Sequence, residues 1–450
     1  MAYTQILKQP HLVRLWLSQV LSSVGDQLYS IAAIWIAIKI GGANAGYVAA
    51  AGSITGTCLG LIGGVYADRW DRRKTMIAVD LLRAATVISL AVVGSFMPLA
   101  LWQLGLSAML IAGLGALFDP SLQAALPELT ENEDRLQAMN ALMQVNHRFA
   151  RTLGPGAAGW LVSLMAVHHF FFLDGITYLV SAAAIFSISN RYNWKPNSTS
   201  QVSQGGLAGI WQDIRKGAQT VYQHEELFWS FGMYILANFA WSVGYTIGFP
   251  LWTKQFLHAD VGTYGALVAA YGVGSVLSNI VMGTVKTRRR MLFISGSDLV
   301  FFVGFMILAF APNLPVACFG SALAATGGPM ADIVLMVMMQ TDMPRDVLGK
   351  VFSLRYFVMF LGSALGLLVA PALYTAVNAQ TGIVVSAVIF GLSGMAGLIR
   401  FGAKESAYKP YVDPTLEADL MNPQEKKAVP SEDGDTSASK QKTEACTHSD

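Results

Sequence analysis

Long apolar runs, interrupted by glycine, proline and small knots of charge, recur along this chain from residue 12 to about residue 402. Ile31–Ile40, Val87–Leu101, Tyr178–Ile188 and Phe301–Ala311 form the centres of four of them. With their flanks they reach the ~20 residues a helix needs to cross ~30 Å of hydrocarbon. Neither the alternation of a half-buried strand nor the single apolar stripe of a soluble helix is present. Turns, charges and Gly/Pro breaks predict twelve spans, near 12–40, 44–66, 75–97, 100–126, 139–166, 169–190, 226–252, 262–285, 290–311, 314–340, 348–377 and 382–402. The predicted fold class is an all-α polytopic membrane protein, twelve transmembrane helices in two pseudo-symmetric six-helix bundles. The bundles are residues 1–190 and 226–402, joined by a polar cytoplasmic linker, 191–225, that contains "KPNSTSQVSQGG". Residues 403–450, rich in Lys, Glu, Asp, Ser and Thr, read as a disordered cytoplasmic tail.

Composition agrees. Only 13% of the 450 residues are charged and the mean hydropathy is +0.47, where a soluble protein carries roughly a quarter charged residues. Met1–Pro10 is polar, and the first apolar segment is too long and lacks a small-residue cleavage site, so no cleavable signal is expected. Cys58, Cys318 and Cys446 show no disulfide or metal spacing, and no metal or cofactor is expected.

Lysine and arginine set the orientation. With a cytoplasmic N-terminus, one face receives Arg14, residues 69–74, Arg135, Arg191, Lys195, Arg215, Lys286, Arg288–Arg290, Arg345 and Arg400. The other receives little beyond Lys39 and Lys254. Both termini are therefore expected to be cytoplasmic, in a multi-pass protein of the inner membrane.

The halves echo each other. "DRLQAMNAL" (Asp134–Leu142) aligns with "DVLGKVFSL" (Asp346–Leu354), and "DRWDRRKTM" has a basic counterpart in "KTRRRMLF". Such repeats mark transporters built from two bundles around a midplane site. Small residues four apart let helices approach closely. Gly52, Gly56, Gly60 and Gly64 form one such stripe, with others on the fifth span (Ala150, Gly154, Ala158), the eighth (Ala266, Ala270, Gly274, Ser278) and the eleventh (Gly362, Gly366, Ala370). They predict cross-bundle contacts of second with eleventh and fifth with eighth spans. The charge knot after Gly64 then falls on the cytoplasmic rim. Asp68 would face the positive end of the eleventh helix near Leu348–Val351, and Arg72 would reach Asp119. A loop serving topology alone needs no acids.

"GGVYADRWDRRK" resembles the loop signature G-x-x-x-D-R-x-G-R-R-K of the major facilitator superfamily, with Asp71 in place of its glycine. "RTLGPGAAGWL" resembles the Gly-Pro motif on the fifth helix of its antiporters. "SSVGDQLYSIAAIW" and "FDPSLQAALPEL" are similar to the branch with macrolide efflux proteins and enterobactin siderophore exporters. The resemblance covers Leu12 to about Arg400. It implies the major facilitator fold and a cytoplasmic gate of Gly64, Asp68, Arg69, Arg72, Arg73 and Asp119. It also implies that Gly154, Pro155 and Gly159 shape the fifth helix.

An ionisable group near the bilayer centre costs at least ~2.5 kcal/mol and is a functional candidate by default. Asp26, midway along the first span, is the candidate proton-coupling residue, since low dielectric favours a carboxyl that carries a proton. Arg148 and Arg151 lie near one another on the fifth span; one can neutralise Asp119 or Asp26, the other can face the cavity. Arg355 is the corresponding cavity cation in the second half. Asp80 and Arg83 read as a local pair, Asp174, Asp298 and Asp332 as structural, and His147 as a core histidine. Asn238, Trp241 and Tyr245, with Tyr29 on the first span, offer a face for a planar or amphipathic solute; a plain packing ridge fits equally well.

The expected function is secondary active transport, exporting an amphipathic small molecule, a siderophore or drug-like metabolite, by alternating access in exchange for protons. Lipid or lysolipid flipping is the alternative on the same fold. A polytopic enzyme is disfavoured because GxxxxGK, GxSxG and HExxH are absent. The partners expected are substrate, protons and bilayer, with no nucleic acid, and the chain is expected to act as a monomer.

Overall fold

The structure, a computed structural model, describes residues 6, 8–67, 70–130, 135–136, 138–140, 142–143, 146, 150, 161, 164–188, 206–285, 289–343 and 345–402. Among these residues there is no strand, and eleven of the twelve predicted spans are seen as helices. They run Pro10–Gly41, Ala45–Ala67, Arg72–Phe96, Leu101–Thr130, His169–Ser187, Glu225–Gln255, Val261–Met282, Arg290–Ala309, Leu314–Asp342, Arg345–Ala376 and Ala379–Phe401. Most of the fifth span lies outside the described residues. Asp71 and Asn313 begin their helices as expected of N-caps, accepting from the backbone N–H of Lys74 and Val316.

Consecutive spans run antiparallel. At the end where the first span begins, here the near end, Arg14 donates to Ser187 Oγ at 3.0 Å and Arg400 to Glu225 Oε1. At the far end Gly41 meets Leu101. The third and sixth spans pack together, as do the ninth and twelfth; second packs on fourth as eighth packs on tenth. The halves thus share one helix arrangement. Even single residues correspond: Asp80 and Asp298 are each the ninth residue of their helices.

The stripes of the second, eighth and eleventh spans pack chiefly within their own bundles, while Gly154 and Ala158 of the fifth lie outside the described residues. A methyl on Gly52 or Gly56 would lie 3.2 or 3.3 Å from Cβ of Ala108 or Ala112, on the fourth span. Gly274 meets the Ala322 main chain on the tenth span, and Ser278 donates to the Thr326 carbonyl there at 2.6 Å. Gly362 and Gly366 meet the Ile235 and Phe239 carbonyls of the seventh. These contacts lie within bundles. The second and eleventh spans do pack against each other, as expected; Gly46, outside the stripe, is one point of contact, with a methyl there 2.9 Å from Leu367 O and Pro371.

The ninth and tenth spans are joined at the near end by Arg290, whose Nη1 donates to Asp342 at 2.7 Å with both side chains mostly buried. Breaking such a pair from one side strands the other charge and costs about 3–5 kcal/mol. Asp342→Ala is expected to lower unfolding stability by that amount. Arg400→Ala, at an exposed pair, should change it by less than about 1 kcal/mol. Thermal unfolding of the purified variants in detergent measures both.

The polar linker holds a helix that its composition conceals, Gly206–Tyr222. Its Gly217 packs on the backbone of Lys350 and Val351, at the start of the eleventh span. Trp252, by position an interfacial anchor, is fully buried and stacks on Phe256.

Candidate functional site

The first bundle encloses a cavity of about 370 Å³ in its near half. Gln19, Ser22, Ser23 and Asp26 line it from the first span, Phe118, Asp119, Leu122 and Gln123 from the fourth, and Asn140, Met143 and Asn146 from the fifth, with Arg83 above. The polar positions follow helical spacing on the first span, so one face supplies them all. Gln19 Nε2 donates to Ser181 Oγ at 3.0 Å, and Trp16 Nε1 to Asn146 Oδ1 at 2.9 Å, which holds this face against the sixth and fifth spans.

Asp26 does not act alone. Tyr178, on the sixth span, donates its hydroxyl to Asp26 Oδ1 at 2.5 Å. Gly25 lets this happen, because a side chain at that position would strike Asp174 and Thr177. The Arg83 guanidinium lies 5.4 Å from the ring centres of both Tyr178 and Phe118, a distance at which a cation is attracted to the ring face. Asp174 and Asp80 stand behind this group, at 0 and 1% exposure. Asp174 receives Thr177 Oγ1 at 3.3 Å, and Asp80 lies by Ser181 and Arg83. Arg83 therefore faces Asp80 as expected, but within a wider cluster drawn from the first, third and sixth spans. Tyr178→Phe is expected to cost about 1.5–3 kcal/mol, the worth of a hydrogen bond to a charged group. Unfolding of that variant beside the parent provides the check.

Among the described residues, the corresponding positions of the second half differ. After Gly244 stands Tyr245 where Asp26 follows Gly25, and Phe301 stacks on Phe390 at 4.5 Å where Arg83 lies over Tyr178. The repeated scaffold thus puts aromatic rings where the first half has Asp26 and Arg83, while Asp298 keeps the acid of Asp80 and accepts from Ser393 Oγ at 2.6 Å.

Other expected site residues are distributed differently. Tyr29 shares a hydrogen bond with Ser107 Oγ at 2.9 Å, tilts against Phe171 and is 8% exposed, which removes it from the cavity. Arg355 is no open cation. It pairs with Asp332 at 3.0 Å, donates to Tyr234 Oη at 3.2 Å and lies between the Tyr234 and Tyr356 rings. Arg72 reaches the fourth span as expected, but donates to the Ala124 carbonyl at 2.8 Å, not to Asp119; Arg73 donates to Ile185 and Phe186 carbonyls. Asn238 donates to Tyr234 O in its own helix. Trp241 and Tyr245 do share a face, stacked at 4.6 Å, and Trp241 Nε1 donates to Tyr271 Oη at 2.9 Å. Trp241 precedes and Tyr245 lies within a π-helical stretch, Ser242–Gly248, of the kind found at functional positions in helices. Gly64 lies on the second span. Asp68, Arg69, His147, Arg148, Arg151, Gly154, Pro155 and Gly159 lie outside the described residues.

The transmembrane secretion effector family, within the major facilitator superfamily, matches residues 4–425. The chain belongs to this family. It is a multi-pass membrane protein with the twelve-helix fold of that superfamily. It is similar to the MFS-type transporter YfiS of Bacillus subtilis (strain 168), 23% identical over 80% of this chain and 85% of the relative. Macrolide efflux protein A of Enterococcus faecalis is 24% identical, over 68% of this chain and 93% of the relative. The multidrug efflux pump Tap of Mycolicibacterium fortuitum is 25% identical, over 78% and 86% respectively. The family and these relatives are transporters, not enzymes.

Proposed function

We propose that this transporter exports an amphipathic small molecule, a siderophore or drug-like metabolite, from the cytoplasm across the inner membrane, exchanging it for protons at Asp26. The observation that carries this reading is the position of Asp26, a carboxylate on the wall of a polar cavity among membrane spans. Export fits the efflux named for the macrolide and multidrug relatives. The basic residues gathered at the near end favour placing that end, and both termini, in the cytoplasm. The cavity then faces inward while contacts between the halves close the far end, one state of an alternating-access cycle between residues 1–190 and 226–402. Residues 191–225 serve as linker and 403–450 as tail in this arrangement. Inward proton flow supplies ~2.3 kcal/mol per charge per 100 mV. The Trp241–Tyr245 face presents rings to the substrate's apolar part, and the loop of residues 68–74 with Asp119 guards the cytoplasmic rim. The transporter works as a monomer in the bilayer, with substrate and protons as its partners.

Metabolite profiling of cells and medium, for a deletion strain and its complement under iron-limited and iron-replete growth, tests this. A chelator retained by the deletion strain only when iron is scarce is the expected sign of siderophore export. Compounds retained in both media point to a drug-like substrate, and identical profiles, with equal accumulation of added drugs, count against export.

A further inference from the structure

Lys39 and Lys254 are the two lysines on the face otherwise poor in basic residues. The structure brings Lys254 to the segment that contains Lys39. Lys254, at the far end of the seventh span, donates Nζ hydrogen bonds to the carbonyls of Ile38 at 3.0 Å and Lys39 at 3.2 Å. Both carbonyls lie in the last turn of the first span, which ends at Gly42 with φ of 55°, a left-handed conformation natural to glycine. Ile38 O already accepts the backbone N–H of the capping Gly42, so Lys254 adds a second bond there, and the helix dipole adds negative charge to this end. A cation from the second half thus caps a helix end of the first.

Two apolar contacts close the same end. Trp35 of the first span stacks on Tyr264 of the eighth, with centroids 5.9 Å apart and planes 14° apart. Gly46 meets Leu367 and Pro371 of the eleventh span. A lysine acting only as an interfacial anchor turns its ammonium toward water and lipid headgroups. Lys254 instead commits two donors to the opposite half. Its partners are neutral carbonyls, which water replaces readily when the surfaces part; a buried carboxylate would hold the surfaces together far more tightly.

We propose that Lys254 is the latch of the far gate, a positioning residue that holds the seventh span against the first while the near cavity is accessible and lets go when the far side opens. This rests on the alternating-access reading above.

The test uses the full chain with Cys58, Cys318 and Cys446 replaced by serine. Spin labels go on Met97→Cys and Pro312→Cys, exposed positions in far-end turns of the two halves. Pulsed electron-spin distance measurements are made in nanodiscs without substrate. The parent is expected to show chiefly the shorter separation. Lys254→Met, which keeps the stem and removes the charge, is expected to raise the ratio of long to short separations about tenfold, the worth of one hydrogen bond to a charged group. Lys254→Arg restores the parent distribution, which a general packing defect would not allow. A parent-like distribution in Lys254→Met, with a long separation still detectable, overturns the latch. A single separation in every variant overturns the alternating-access reading beneath it.

Discussion

Asp26→Asn is expected to abolish proton-driven efflux while the exported compound still binds. Asparagine keeps the shape of the side chain and can still accept from the Tyr178 hydroxyl that now reaches Asp26 Oδ1 at 2.5 Å, so the cavity wall stays in place. What it cannot do is exchange a proton. Each proton carried inward supplies ~2.3 kcal/mol per 100 mV, which sustains a concentration gradient of about fiftyfold, since each 1.36 kcal/mol is one factor of ten. That gradient should collapse to the passive level in the variant. Efflux from preloaded cells, with binding to the purified protein measured in parallel, separates the two effects. Unchanged efflux removes Asp26 from the coupling.

Gly274→Ala is expected to destabilise the fold by forcing two helix backbones apart. The added methyl would overlap the Ala322 carbonyl, with its carbon at 2.7 Å and Cα at 2.9 Å. Both partners are main chain in the middle of helices, so no side chain can swing aside. Overpacking of this kind costs about 1–3 kcal/mol, occasionally more. Separating the helices would also stretch the Ser278 bond to the Thr326 carbonyl, one turn away. Gly60→Ala is the control, because nothing lies within 4 Å of its added methyl. Its stability should match the parent's or rise by up to about 1 kcal/mol, since alanine is the better helix former. Unfolding followed by tryptophan fluorescence in detergent compares the three proteins, and equal midpoints would refute the close approach.

Span number and position were legible because hydrocarbon thickness sets one length for every helix. Asp26 was legible for a related reason: a carboxylate midway along an apolar run is conspicuous in one dimension. Its companions were not. Tyr178 and Asp174 come from the sixth span and Arg83 from the third, and their meeting depends on the rotation of each helix about its axis. A period of 3.6 residues defines a face without saying which neighbour it meets. The second span does meet the eleventh as its stripe suggested, but for that reason the stripe itself misplaced the contact, since Gly52 and Gly56 face Ala108 and Ala112. Arg355 shows the same limit for charge. As a lone arginine in the eleventh span it reads as a cavity cation, and only the fold places Asp332 and two tyrosine rings around it. The linker helix was hidden by the length criterion itself, since Gly206–Tyr222 is too polar to span a membrane and stays with the protein by packing on the eleventh helix.

Outward transport at the expense of a proton gradient is decided by uptake into everted, respiring membrane vesicles, using a compound that the deletion strain retains. Accumulation is expected only in vesicles that contain the protein, and it should vanish when a protonophore is added. Accumulation that survives the protonophore, or none in energised vesicles carrying the protein, would rule out proton-driven export.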